Sequence, residues 1–179
     1  MIRSLVLAGL GALALLGCVE SGAERDPERK ETPVADAGIQ DADRLARSWR
    51  WSRRVVLVTG SESDLTSQAT LVGARWESWL ERDLQLVLLT RGGGLVVDRF
   101  IDGGPVGTTF DVAVERGLEA RFGLEPVAGG VADRFQAVLV GKDGGVKHRW
   151  SAIVEPAEIF GLIDAMPMRI REMQEEDER

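Results

Sequence analysis

The chain has 179 residues, with 29 acidic and 22 basic side chains, a formal charge of −7, one cysteine and one histidine. The excess acid lies at the ends: Glu20 to Arg44 holds eight acids against four bases, and Arg169 to Arg179 five against three, leaving sixteen against fourteen between them. A nearly neutral central stretch offers no basic face for nucleic acid, and a single histidine with a single thiol excludes a soft metal site.

The first residues read as a targeting signal. Arg3 supplies a positive n-region, and Leu5 to Leu16 form an apolar run broken only by small residues. About a dozen residues fall short of the roughly 20 that span a bilayer as a helix, so the run suits a signal peptide, residues 1–17. It ends in Leu15-Leu16-Gly17-Cys18, which resembles the bacterial lipobox, in which the cysteine is lipidated before cleavage on its N-terminal side. An ordinary secretory signal with an incidental cysteine is the alternative. Cys18 stands where the apolar run stops and is the chain's one cysteine, which favours the lipoprotein reading. Acyl chains such as palmitate, at about 0.8 kcal/mol per buried methylene, would then hold the protein on a membrane. Val19 and Glu20 follow, without the aspartate that retains lipoproteins in the inner membrane, which points to the periplasmic face of the outer membrane. Cleavage would leave 179 − 17 = 162 residues, enough for one domain and a tether.

Residues 18–42 are rich in Glu, Asp, Ala, Pro and Gly, with Val34 and Ile39 as the only β-branched aliphatic residues after Val19. The composition predicts a disordered tether. Order is expected from Asp43, giving a domain over 43–172 and a charged tail over 173–179. Val55 to Thr59 is a continuous apolar run of β-branched type, as in a strand covered on both faces. Gly60 to Asp64 reads as a turn in which Ser63 or Asp64 caps a helix. Leu65, Ala69, Val72, Trp76, Trp79 and Leu80 recur at helical spacing, predicting one helix over 65–82. Leu84 to Thr90 is a second buried strand, so a parallel crossover is expected. In the Gly-hinged stretch 91–110, Leu95 to Asp102 reads as a strand. Asp111 to Phe122 reads as a helix capped by Asp111 and closed by Gly123. Phe135 to Val140 and Val146 to Trp150 read as strands joined at Asp143-Gly144, which predicts a type I′ hairpin. Pro156 opens a last helix ending near Ala165, and the chain beyond Met168 is expected to fray. This order of elements is the plan of a thioredoxin-like α/β sandwich with a mixed central sheet.

The string Ala137 to Lys147, containing Gly141-Lys142-Asp143-Gly144-Gly145-Val146-Lys147, and the string Ile163 to Arg169, containing Met166-Pro167-Met168-Arg169, resemble a bacterial domain-of-unknown-function family. The same domain is found in animal extracellular-matrix proteins of the sushi-repeat-containing and coiled-coil-domain-containing kinds. Weaker matches lie at Trp51 to Val58, Gln68 and Glu81-Arg82-Asp83. The resemblance implies a thioredoxin-like, peroxiredoxin-related fold in secreted or surface proteins, and no known reaction.

In a thioredoxin-like enzyme the reactive cysteine stands after the first strand at a helix N-terminus, where the helix dipole lowers the thiol pKa. Here Ser61, Glu62 and Ser63 occupy that place, and a serine hydroxyl replaces a thiolate in neither disulfide exchange nor peroxide reduction. The turn reads as a helix cap, with anion binding through its N–H groups as the alternative. His148 alternates along a strand with no partner for a triad or metal, and Gln136 stands where a phosphate loop ending at Gly141-Lys142 needs glycine. No catalytic residue and no cofactor is therefore expected. Lys142, Asp143, Lys147, Arg149 and Arg169 form a charged cluster, mostly basic, beside the specific strings. It reads either as a grip for an acidic glycan or envelope protein, or as a solvated hairpin that keeps an edge strand from aggregating. Met166-Pro167-Met168 reads as a packing plug that ends the last helix or as part of an interaction surface. The sequence thus points to a lipid-anchored, cysteine-free binding module of the cell envelope. An oxidoreductase or antioxidant relative acting without its own thiol is the alternative.

Overall fold

The computed structural model describes residues 34–125 and 134–178; Cys18, the signal segment and most of the expected tether lie outside them. Strand β1 (Arg54–Thr59) is buried along its whole length. It pairs in parallel with β2 (Leu84–Thr90) and antiparallel with β5 (Gln136–Val140). Helices α2 (Glu62–Gly73) and α3 (Trp76–Leu80) fill the β1–β2 crossover. Helix α1 (Val34–Trp49) precedes β1, and α4 (Val112–Phe122) precedes β5. Strand β6 (Val146–Trp150) pairs antiparallel with β5 and leads to α5 (Pro156–Asp164). Strands β3 (Gly93–Ile101) and β4 (Gly104–Asp111) extend the other side, giving a six-stranded mixed sheet in the order β4-β3-β2-β1-β5-β6.

Period-two alternation along β1 divides the interior. Val56 and Val58 face a core built with Leu65, Ala69, Val72, Trp79, Ile159 and Ile163 of α2, α3 and α5. Val55 and Leu57 face a second core with Ala42, Ala46 and Trp49 of α1 and Val114, Leu118 and Phe122 of α4. The result is the expected three-layer α/β sandwich. Each fully buried aliphatic side chain contributes about 1.5–3 kcal/mol, so both layers of helices are held to the sheet by ordinary apolar packing.

Several expectations are corrected. Helix α1 starts at Val34, inside the expected tether, and Ala42, Ala46 and Trp49 on it are buried. Their spacing of four and three makes a narrow stripe of two alanines and a tryptophan, which a count of β-branched residues overlooks; Arg121 of α4 also pairs with Asp43. The helix expected over 65–82 breaks after Gly73, where a Cβ would come within 2.9 Å of the Phe100 ring. Leu80, counted on its apolar face, is 45% exposed. The cap is Ser61, with Asp64 closing a capping box, two residues before the earliest cap expected. The Gly-rich stretch is a whole hairpin, with Asp102 and Gly103 at φ 51° and 80°, as a two-residue type I′ turn requires. At the β5–β6 turn only Gly144 has positive φ, at 82°. Gly144 N–H donates to Gly141 O and Gly141 N–H to Gly145 O, so this is a three-residue loop closed by a left-handed glycine, not type I′. The chain after Met168 does not fray: Pro167 opens α6 (Pro167–Asp177), so the proline begins a helix.

Candidate functional site

The two family-like strings meet at the end of the sheet where β1 begins. The β5–β6 loop and the α5–α6 junction enclose a cleft of about 410 Å³. Arg54, Gly141, Lys142, Asp143, Lys147, Met166, Pro167, Met168 and Arg171 line it. Each strand supplies its residues at this end because β1 starts opposite the end of β5, Val55 pairing with Val140. The floor is apolar. Met166 packs onto the core, while Met168 remains 39% exposed, so the plug reading suits the first methionine and the surface reading the second.

Most charges beside this cleft are neutralised within the fold. Lys142 Nζ donates to Asp83 Oδ2 at 2.8 Å and to Glu172 Oε1 at 2.7 Å. The Arg54 guanidinium, buried at the first residue of β1, donates to Glu172 Oε2 and Arg82 O, both at 2.9 Å. Burial would raise the Glu172 pKa, but the hydrogen bonds from Lys142 and Arg54 outweigh it and hold the carboxyl below its ordinary range. Arg169 is buried within 4.0 Å of Asp164, 3.6 Å of Glu172 and 3.4 Å of Glu176. Lys147 Nζ donates to Asp143 Oδ2 at 2.6 Å. That bond and the Gly145 N–H lower the Asp143 pKa. Arg149 lies apart from the cleft, its guanidinium donating to the Phe122 and Gly123 carbonyls at the C-terminus of α4.

The structure therefore brings Lys142, Asp143 and Lys147 into one cleft, buries Arg169 behind it and assigns Arg149 to a helix end. Lys142 ties the hairpin to α6 and to Asp83 before β2, Arg169 ties α6 to α5, and neither is an open grip. The sequence reading missed Arg54, Glu172 and Arg171. Arg171 lines the cleft, is exposed and has no ion pair among the described residues. An arginine opening a wholly apolar strand was the available signal for Arg54, because a buried guanidinium requires a partner. The weaker string residues are structural too. Gln68, fully buried, exchanges two 2.9 Å hydrogen bonds with the Val154 backbone. Arg82 forks onto Asp164 at 3.0 and 2.7 Å with its guanidinium 4.4 Å from the Phe160 ring centroid.

The opposite end of β1 holds the turn from Gly60 to Asp64. Gly60, Ser61, Glu62, Leu65, Thr90 and Arg91 line a second cleft of about 530 Å³ there. Asp64 Oδ2 accepts from Ser61 N–H at 3.2 Å and Ser61 Oγ at 2.7 Å, and Ser61 Oγ accepts from Asp64 N–H at 3.2 Å. A carboxylate on the helix N-terminus, with Glu62 beside it, disfavours an anionic ligand and fits the plain-cap reading. His148 is exposed on β6, edge-on to Trp150 at 4.6 Å. Among the described residues no group of acids, histidines or cysteines could hold a metal, and no helix is long and apolar enough to cross a membrane.

No curated protein and no solved structure gives a significant match to the chain. A family profile described as a domain of unknown function, DUF4174, matches residues 45–172, which include both cleft-forming strings and every strand. The chain belongs to this DUF4174 family.

Proposed function

We propose that the chain is a lipid-anchored, thioredoxin-like binding module of the cell envelope. In this reading the cleft between the β5–β6 loop and the α5–α6 junction receives an acidic group of a glycan or protein. The observation that carries it is the meeting of the two family-like strings around an apolar floor, with Arg171 exposed at its edge and without an ion pair among the described residues. The strand order β2-β1-β5-β6, with a parallel β1-α2-β2 unit and a helix after β6, supports the thioredoxin-like kinship. The thiol-free turn at Ser61 to Ser63 supports binding over redox turnover. Anchoring rests on the lipobox-like sequence ending at Cys18.

The test is affinity capture from envelope extracts with the full-length anchored protein, comparing wild type, Lys147→Ala/Arg171→Ala and Ser61→Ala. The expected result is an acidic component captured by wild type and Ser61→Ala and lost from the double variant. An identical set from all three, or peroxide or disulfide turnover above a no-protein control, would overturn the proposal. Intact mass tests the anchor: a diacylglyceryl-modified N-terminus at Cys18 is expected, and an unmodified N-terminus at another cleavage site contradicts it.

A further inference from the structure

The two edges of the sheet are built differently. Strand β6 presents Lys147, His148 and Arg149, side chains that resist pairing with a foreign strand. Strand β4 is longer, eight residues, and Gly104 to Phe110 carries no charge. No described strand pairs with its outer side. A long uncharged open edge is a template for another strand.

The register of the β3–β4 hairpin fixes which backbone groups are free. Ile101 and Gly104 close the two-residue turn as a hydrogen-bonded pair; the register shift between Val97 and Arg99 puts the extra residue, Asp98, on β3, so the alternation along β4 runs on and Gly104, Val106, Thr108 and Phe110 turn their backbone groups toward β3. Pro105, Gly107, Thr109 and Asp111 turn theirs outward. Proline occupies an outward position, where its missing N–H leaves the β3 ladder intact.

We propose that β4 pairs antiparallel with β4 of a second copy of this chain, centred on Thr108, joining two six-stranded sheets into one. In that register Gly107 of one copy exchanges both backbone hydrogen bonds with Thr109 of the other, and the Asp111 N–H reaches the Pro105 carbonyl. Thr108 faces its own counterpart in a non-hydrogen-bonded pair, the position of closest side-chain approach. The strand is self-complementary in charge: its one acid, Asp111, falls opposite Pro105, so no like charges meet. A second copy fits this edge without any change to the residues present.

Sedimentation velocity on the full chain carrying Cys18→Ser tests the proposal. Wild type is expected to sediment as a dimer. Thr108→Lys and Thr108→Glu are each expected to weaken dimerisation about tenfold or more, because like charges meet at the two-fold axis. Their equimolar mixture is expected to restore the dimer, a result that loss of folding would not produce. Thr109→Pro, which removes an outward N–H, should be monomeric with an unchanged far-UV circular dichroism spectrum. A wild type that stays monomeric to high concentration overturns the proposal, whether or not β4 takes a strand from another protein. So does a mixture no more dimeric than either variant alone, or a dimer that survives Thr109→Pro.

Discussion

The two ends of β1 are about 17 Å apart and are furnished in opposite ways. At the C-terminal end, the Ser61 hydroxyl and Asp64 carboxylate satisfy the first turn of α2 as a capping box. At the N-terminal end, Arg54, Lys142 and Arg169 converge on Glu172, and the cleft with the exposed Arg171 opens beside them. The contrast separates scaffold from chemistry. Strand order depends on apolar alternation and the furnishing of the two ends on a few polar residues, so an end can change while the sheet stays the same.

The contrast is broken or sharpened first by stability. Arg54→Ala should cost about 3 kcal/mol, since it empties a fully buried site and takes a donor from the Arg82 carbonyl and from Glu172, which keeps Lys142; Ser61→Ala at the other end should cost about 1 kcal/mol, the loss of one cap. Urea unfolding of both variants measures the difference, and equal costs would erase the distinction between the ends. Lys142→Ala should lie nearer Arg54→Ala, because both Asp83 and Glu172 lose a donor.

Acid titration gives the next largest effect. The Glu172 pKa is lowered, so its stabilisation is fully present above the ordinary value of 4.5 and is lost as pH falls through the folded-state value. Glu115, on α4 near the opposite end of the sheet, behaves inversely. Burial first and the charge of Glu119 second raise its pKa, outweighing the hydrogen bonds from Gly92 and Gly93. Its contribution is present below 4.5 and is lost as pH rises through its raised value. Thermal unfolding across pH should show Glu172→Gln flattening the acid limb and Glu115→Gln gaining most, relative to wild type, toward neutral pH. The opposite assignments would contradict both arguments.

The smallest expected stability effect belongs to the residues offered for binding. Lys147→Ala/Arg171→Ala should change stability by about 0.5 kcal/mol or less, because one pair is exposed and Arg171 has none. A large loss would make these side chains structural and leave the cleft without its recognition elements.

The sequence discloses the strands of the sheet's centre well, because β1, β2 and β5 are short continuous apolar runs and buried on both faces. It also shows the α4 cap and its closing glycine, each carried by one residue with one conformation. Two identical Asp-Gly dipeptides mark its limit. Asp102-Gly103 makes the type I′ turn, whereas at Asp143-Gly144 only the glycine has positive φ, and loop length decides which. The site was half legible. Lys142, Asp143 and Lys147 are close in sequence and stay together. Glu172 joins Arg54 across 118 positions, a pairing no local pattern encodes. Arg169 looked like an open cation because the chain beyond Met168 was expected to fray, and it is helix α6 that sets Glu172 and Glu176 beside it; Arg149 looked open because its carbonyl partners lie at the end of α4.

The most direct test of the central claim, that recognition belongs to the start of β1 and not to its end, is amide chemical-shift mapping. A sulfated oligosaccharide titrated into the full chain with Cys18→Ser should move Lys147, Met168 and Arg171 and leave Gly60 to Leu65 in place. Shifts centred on Gly60 to Leu65, or none at either end up to millimolar ligand while an acidic peptide is equally silent, would contradict it.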